Sequence, residues 1–346
     1  MSPLAMLGAT SVELAYMVAA LLFIVGLKQL GRVKTARQAN RLSFLGMAVA
    51  VGATLFLIGA VEWWVLLGGA LVGSAIGALL ALRVPMTSMP EMVGFLNGMG
   101  GAASTCVALG DLTNFTQDRP GLTLASGPSG AEYAVAVSLS ILIGAVTFSG
   151  SLVAFFKLSG KLQRNRLGPI GSQGLNALLA VACLALLGWS EFVAAGPQEI
   201  LWGNVGLVGL SLVLGIGLVV PVGGADMPVV ISLLNSYSGM AASATGFVLQ
   251  NNLLIVAGTL VGASGIILTK IMCKAMNRSL TNVLFANFAE QAAGAKDTGY
   301  VGVKSASAEE AAPVLEAASS VIICPGYGMA VAQAQHKVRE LAHLLE

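Results

Sequence analysis

Charged side chains are scarce in this chain of 346 residues. Asp, Glu, Lys and Arg together make up 10% of the sequence, while apolar residues make up 56%. A soluble globular protein carries about 25% charged residues. The composition therefore excludes a soluble enzyme as the main interpretation, and the high apolar content excludes intrinsic disorder. It predicts a protein whose helices lie in a membrane.

Cysteine and histidine are also rare. The four cysteines are scattered along the chain with no Cys-x-x-Cys pair, so neither a zinc site nor a disulfide framework is expected. The only two histidines, His336 and His343, lie near the end of the sequence. Because His is the side chain best suited to titrate near neutral pH, a proton path through the apolar part must use carboxylates, hydroxyls, amides and water.

The apolar part predicts an all-α polytopic membrane protein. A helix that crosses about 30 Å of hydrocarbon needs about 20 apolar residues. Nine stretches qualify, some only marginally: residues 11–30, 43–61, 63–82, 91–110, 134–156, 174–193, 200–220, 228–249 and 252–272. We assign them to a transmembrane domain over residues 1–275. No basic residue precedes the first stretch, so it is not expected to be a cleaved signal peptide.

Basic residues are concentrated in the segments that follow every second predicted span. Thirteen of the fourteen basic residues near the spans lie in these segments, and only Arg119 lies in an opposite one. The opposite segments are predicted to hold the acids Glu62, Asp111, Asp118, Glu132, Glu191 and Glu199. Because cytoplasmic loops are rich in Lys and Arg, the N-terminus is predicted outside, and segments 29–41, 157–170 and 275–346 in the cytoplasm.

Two predicted spans carry stripes of small and polar residues. Residues 94, 97, 98, 101, 104 and 105 recur at helical spacing in the fourth span, and residues 232, 235, 236, 239 and 243 do so in the eighth. Such stripes favour either close helix packing or a polar pathway. Asn97 and Asn235, near the middle of their spans, favour the pathway. We expect any polar path to lie between these stripes and to include Ser232, with the ninth span and its Ser264 packed alongside.

Two carboxylates lie at the predicted cytoplasmic mouth of these spans. Asp226 comes two residues before Pro228, and Glu91 begins the fourth span. Asp226 is interpreted either as a helix cap or as a group that carries protons, and the preceding Gly223-Gly224 pair suggests a hinge. Glu91 is either a second proton-collecting carboxylate or a solvated charge at a helix start.

The tail after the spans predicts a linker over residues 276–316 and the beginning of a Rossmann-like α/β domain over 317–346. A short apolar strand, a Gly-x-Gly turn and a helix resemble a dinucleotide-binding fingerprint, in which backbone amides approach the pyrophosphate. The candidate cofactor-binding residues are Gly326, Tyr327, Gly328, Met329, Ala330 and Val331. A single strand and helix leave such a pocket incomplete, so residues 1–346 alone are expected to show no measurable affinity for a dinucleotide.

Several motifs of the sequence resemble those of one family. They are Met86-Thr-Ser-Met-Pro-Glu91-Met-Val, Pro221-Val-Gly-Gly-Ala-Asp226-Met-Pro-Val-Val-Ile-Ser232, Leu234-Asn235-Ser-Tyr-Ser-Gly239, Ile271-Met-Cys-Lys-Ala-Met-Asn-Arg-Ser279 and Cys324-Pro-Gly-Tyr-Gly-Met-Ala-Val-Ala-Gln-Ala-Gln-His336. They resemble the β subunit of proton-translocating NAD(P) transhydrogenase, and the resemblance covers nearly the whole chain.

The resemblance implies an enzyme in which hydride transfer from NADH to NADP⁺ is coupled to inward proton movement. It implies NAD(H) on a partner α subunit with further transmembrane helices, NADP(H) on the complete C-terminal domain, no metal, no nucleic acid, a homodimer of αβ units and the bacterial inner membrane. Asp226 matches a family acid next to the NADP(H) domain, and Asn235 a channel residue. Asn97 falls where many members carry a His thought to shuttle the proton. The rival interpretations are a secondary transporter and a membrane anchor for nucleotide-binding partners.

Overall fold

The structure is a computed structural model that describes residues 3–32, 34–57, 63–85, 88–118, 130–162, 172–194, 196–285, 307–324, 326, 329 and 334–345. Nine long helices form the apolar part: α1 (Pro3–Leu30), α2 (Ala36–Leu57), α3 (Trp63–Arg83), α4 (Met89–Asp118), α5 (Gly130–Leu158), α6 (Gln173–Phe192), α7 (Pro197–Val219), α8 (Met227–Val248) and α9 (Asn252–Ala275). A 3₁₀ turn, Gly224–Asp226, leads into α8. Three short helices follow: α10 (Leu280–Phe285), α11 (Ala308–Glu316) and α12 (Gln335–Leu345).

Seven of the nine long helices are sufficiently long and apolar to cross a membrane, namely α1, α3, α4, α5, α6, α7 and α9. This confirms a helical membrane protein, whereas the full count of nine spans stays a prediction. The two others are more polar. Arg37 and Arg41 lie in the first two turns of α2, and α8 carries the stripe that includes Asn235.

Glycines allow α4, α5, α8 and α9 to approach one another closely. A methyl group at Gly101 of α4 would lie 2.6 Å from Gly144 O of α5. A methyl group at Gly239 of α8 would lie 2.8 Å from Gly258 O of α9. Both distances are far shorter than a normal carbon–oxygen contact, so only glycine fits, as in other membrane helices that pack through small residues.

The contacts also fix the helix directions. Ser140 and Ser151 of α5 bond to Ser104 O and Asn97 of α4, so α5 runs antiparallel to α4. Ser140 also bonds to Thr245 of α8, and Gly150 lies against Leu234, so α5 runs antiparallel to α8 as well. Helices α4 and α8 therefore run parallel, and the starts of both lie at the same end of the bundle. Tyr16 of α1 bonds to Thr54 of α2 at 2.9 Å in an antiparallel hairpin beside this bundle. No residue of α3 is buried among the described parts of the chain.

The position of Glu191 differs from the predicted one. Glu191 was counted among the acids of the polar segments, although the predicted span 174–193 includes it, and it lies inside α6 and is 0% exposed. The helix ends only at Phe192, and α5 and α7 cover this last turn. The neighbouring helices therefore bury a carboxyl group that the sequence alone places at a polar boundary.

The tail does not show the predicted strand. The described residues 318–324 form no regular element, and a strand needs a neighbouring strand to hold its backbone hydrogen bonds. The predicted linker is partly helical, since it contains α10 and α11, and Ser307 and Glu310 form a capping box at the start of α11. Among the candidate nucleotide-binding residues, Tyr327, Gly328, Ala330 and Val331 lie outside the described residues.

Candidate functional site

Asp226 is almost fully buried at the start of α8. It is the last residue of the 3₁₀ turn, and the whole residue is only 3% exposed. Although it occupies the N-cap position of α8, its backbone is helical (φ −92°, ψ −3°) and its side chain makes no capping hydrogen bond. A capping residue normally has an extended backbone and accepts from the first turn. The structure therefore does not support the helix-cap interpretation.

Arg278 is the partner of this carboxyl group. Its Nη1 donates to Asp226 Oδ2 at 3.2 Å, from the segment that joins α9 to α10. The Arg278 side chain is 46% exposed, whereas that of Asp226 is 5% exposed. Asp226 Oδ1 is buried and has no hydrogen-bond partner among the described residues. The carboxyl group thus has one oxygen held by a cation and one oxygen free to accept a proton or a water.

Lys157, at the end of α5, fixes the segment that leads to Asp226. Its Nζ donates to the carbonyl oxygens of Val220 and, at 2.7 Å, of Val222. These carbonyls follow α7, whose last backbone acceptors lack partners within the helix. A Lys at this position satisfies them and complements the negative end of the helix dipole. The loop that carries Asp226 is therefore anchored to α5.

Asn97 faces α5. Its side chain is half-buried, and Nδ2 donates to Ser151 Oγ at 3.1 Å. Ser151 is 0% exposed. Further along α4, Ser140 Oγ of α5 donates to Ser104 O at 3.3 Å and lies 2.6 Å from Thr245 Oγ1 of α8. Polar groups of α4 and α5 therefore meet at two levels, and α8 joins them at the second. Ser104 lies about 10 Å along the helix from Asn97.

The hydroxyl groups of α8 mostly face α9. Ser232 Oγ donates to Gly265 O at 3.3 Å and accepts from Thr269 Oγ1 at 3.1 Å. Ser236 Oγ donates to Gly262 O at 2.5 Å. These bonds link two closely packed helices. Asn235 is half-buried, and its side chain makes no hydrogen bond to another described residue.

The remaining predicted residues are placed at the edges of this arrangement. Glu91 is half-buried in the first turn of α4, at the same end of the bundle as Asp226 because α4 and α8 run parallel. Ser264 is exposed, and its Oγ donates at 2.9 Å to Val261 O of its own helix. The structure therefore brings Asp226 and Glu91 to one end and does not bring Ser264 to the polar contacts.

The sequence identified Asp226 and Asn97 as site residues. It did not identify Arg278, Lys157 or Ser151 as residues that belong to the same site. In the sequence, the charges of Arg278 and Lys157 indicated only the orientation of the chain in the membrane. Ser151 lies 54 positions from Asn97, a distance from which no spacing rule predicts a contact. The motif around 271–279, which includes Arg278, was the one signal that pointed to it.

The described tail residues do not enclose a nucleotide. A methyl group at Gly326 would meet nothing within 4 Å, and residues 321–324 are exposed. These described residues therefore provide no closed pocket for a dinucleotide. The described residues also contain no cluster of three or more His, Cys, Asp or Glu side chains arranged to hold a metal ion.

Comparison with known proteins gives consistent matches. A family model described as NAD(P) transhydrogenase beta subunit matches residues 12–346. The NAD(P) transhydrogenase subunit beta of Rhodospirillum rubrum is 44% identical over 339 residues, which covers 96% of this chain and 70% of that protein. The same subunit from a defined strain of that species gives the same identity and coverage.

Proposed function

This chain belongs to the NAD(P) transhydrogenase beta subunit family, and from this premise we propose how its helices carry the proton that the enzyme moves. The enzyme transfers a hydride between NAD(H) and NADP(H) and couples the transfer to proton translocation. The matches do not favour a secondary transporter or a simple anchor. The buried carboxyl group of Asp226, with one oxygen paired to Arg278 and the other free, is the observation that carries the proposal.

Asp226 is the group that exchanges the proton at its end of the bundle. A buried carboxylate without a partner on one oxygen is costly, so the free oxygen Oδ1 favours a proton or an ordered water. Arg278 Nη1 holds Asp226 Oδ2 in a 3.2 Å ion pair. Any movement of the segment after α9 that withdraws the Arg278 guanidinium favours proton uptake by Asp226, and its return favours release. Glu91 lies at the same end and supplies a second acceptor for protons from water.

The path through the bundle uses amides and hydroxyls. We assign the first relay to Asn97 and Ser151, and the second to Ser140 and Thr245, since each pair is joined by a hydrogen bond between neighbouring helices. An amide does not titrate, so Asn97 passes a proton only by orienting water molecules. Asn235, which has no partner among the described residues, is free to bind the same water. Ser232 holds α8 against α9 and keeps the path closed on the side of α9.

We also propose an orientation, a domain division and an assembly. The Lys157, Asp226 and Arg278 end faces the cytoplasm, because it holds most of the basic residues. Residues 1–275 form the membrane domain, 276–316 the linker and 317–346 the beginning of the NADP(H)-binding domain, which takes NADP(H) when complete. The partner is an alpha subunit that holds NAD(H), two αβ units form a dimer, and the membrane is the bacterial inner membrane.

The direct test is Asp226→Asn in the assembled enzyme with its alpha subunit, reconstituted into vesicles. Asn keeps the shape of the side chain but cannot release a proton. We expect proton pumping and hydride transfer coupled to it to fall at least about tenfold, which is about 1.4 kcal/mol in barrier height, while the protein stays folded. The matched control is Asp111→Asn in α4, whose carboxyl group accepts from Tyr133 and which we expect to pump normally. Normal pumping by Asp226→Asn would show that Asp226 is structural.

A further inference from the structure

A second buried acid lies at the opposite end of the bundle from Asp226. Glu191, one residue before the end of α6, is 0% exposed. Ser138 of α5, Ser190 of α6 and Asn204 of α7 surround it, and each is also 0% exposed. Apolar side chains of the same three helices, such as Ile200 of α7, pack around this cluster. The polar groups are therefore sealed from water by three helices.

The hydrogen bonds of the cluster leave two oxygens without a donor. Glu191 Oε1 accepts from Ser138 Oγ, and Ser190 Oγ, which lies 3.2 Å from Leu187 O, is also 3.4 Å from Oε1. The Asn204 amide faces the same carboxyl group, but its Nδ2 donates to Ile200 O at 3.1 Å. Glu191 Oε2 and Asn204 Oδ1 are both buried and have no partner among the described residues. Each of these buried acceptors requires a donor, and the two belong to neighbouring side chains of one cluster.

No described cation on the surrounding helices balances a negative charge here. The other titratable side chains of α5, α6 and α7 are Glu132, Tyr133, Lys157, Cys183 and Glu199. Lys157 is the one basic group among them, and it lies at the far end of α5, bonded to the carbonyls that follow α7. An ionised carboxylate buried without a cation costs several kcal/mol, so the charged form of Glu191 is disfavoured.

We propose that Glu191 is a proton-binding site of the membrane domain, with its proton on Oε2 and donated to Asn204 Oδ1. A single proton converts the carboxylate to a neutral acid and gives both orphan oxygens their hydrogen bond. Ser138 and Ser190 then donate to the remaining oxygen, Oε1. No other group changes its charge. The proton exchanges with water at the end of the bundle where Glu191 lies, when α6 and α7 separate. This site is independent of the role proposed for Asp226.

The site adds a second titratable group to the helices that surround the proposed path. Ser138 and Ser140 are two residues apart on α5, so they point to different sides of that helix. Ser140 contacts α4 and α8, whereas Ser138 contacts α6. Helix α5 thus separates the proton on Glu191 from the polar contacts between α4 and α8, and no hydrogen bond among the described residues links the two.

Infrared spectroscopy of the assembled enzyme at neutral pH tests the protonation directly. We expect a C=O stretch of a protonated carboxylic acid that shifts down in ²H₂O after exchange. The band should disappear in Glu191→Gln, which keeps a donor towards Asn204 and an acceptor for Ser138 and therefore stays folded. If Glu191→Gln removes bands of an ionised carboxylate from the wild-type spectrum and removes no acid band, the proposal is overturned.

A second pair of variants tests the acceptor and does not depend on the folding of Glu191→Gln. Asn204→Ala removes the acceptor of the proton, so the acid band should move to higher frequency, as expected for a weaker hydrogen bond. Ser211→Ala, at another buried position of α7, should leave the band unchanged. If Asn204→Ala leaves the band unchanged, the site does not hold the proton as proposed. The same conclusion follows if the spectrum changes with Na⁺ concentration at fixed pH.

Discussion

Polar side chains within the helices differ in how completely their hydrogen bonds are filled. Ser232 and Ser236 each bond to a carbonyl of α9, so their polarity is used in packing. Asp226 keeps an oxygen without a partner among the described residues, and Asn235 makes no hydrogen bond within them. Since buried polar groups are normally satisfied, an unfilled group indicates a transient ligand such as a proton or water. This difference separates Ser232 and Ser236 from Asp226 and Asn235.

The Asn97 amide gives the residue-scale prediction. Asn97→Leu fills the same space with an apolar side chain and removes the donor to Ser151 Oγ. Water then has no polar group to bind at this level of α4. We expect proton pumping in vesicles to fall about tenfold or more, which is about 1.4 kcal/mol in barrier height.

The matched control is Asn114→Leu, at an exposed position further along the same helix. It should pump at the wild-type rate. Wild-type pumping by Asn97→Leu in folded protein would remove Asn97 from the path.

At the scale of the helices, α5 is the element that organises the site. It contacts α4 through Ser151, α6 through Ser138, α8 through Ser140, and the end of α7 through Lys157. It is also the most deeply buried of the seven membrane-spanning candidates. The sequence presents α5 as one more apolar span, because its Ser residues are interspersed with apolar ones and carry no charge.

The sequence predicted the helices better than the contacts between them. The length of each apolar run indicated where a helix lies, and the stripe of α8 correctly marked a packed face. The stripe did not show that its serines bond to α9, because periodicity gives a face and not a partner. Glu191 was misplaced for a related reason: a carboxyl group near the end of an apolar run looks like a loop residue unless the covering helices are known.

Lys157 provides the prediction at this scale. Lys157→Met keeps the aliphatic stem and removes the donors to the carbonyls of Val220 and Val222. Hydrogen bonds to charged groups contribute about 1.5–3 kcal/mol, so the thermal midpoint of the assembled enzyme should fall. Pumping should fall as well, because the segment that leads to Asp226 is no longer anchored.

Two variants distinguish this role from a general effect of charge. Lys161→Met removes an exposed charge four residues later and should change neither the midpoint nor the pumping rate. Lys157→Arg keeps the cation and should restore part of both. If Lys157→Met pumps normally with an unchanged midpoint, Lys157 does not position the loop.

At the scale of the whole molecule, the helix directions collect the basic residues at one end. Helices α4 and α8 start at the end where α5 and α7 finish, and this end holds Lys157, Asp226 and Arg278. The opposite end holds Glu191 and the exposed Glu199. The asymmetry that the sequence shows along the chain is therefore also an asymmetry between the two ends of the bundle, which supports a single orientation in the membrane.

The orientation is tested by labelling single cysteines from one side of the membrane. Ser172 precedes α6 at the Lys157 end, and Glu199 is exposed in the first turn of α7 at the other end. In a background with Cys106 and Cys324, the two exposed cysteines, changed to Ser, a membrane-impermeant maleimide added to intact cells should label Glu199→Cys and not Ser172→Cys. Opening the cells should make Ser172→Cys reactive, because cytoplasmic segments follow the Lys and Arg bias. Labelling of Ser172→Cys in intact cells would reverse the orientation and place Asp226 at the outer surface.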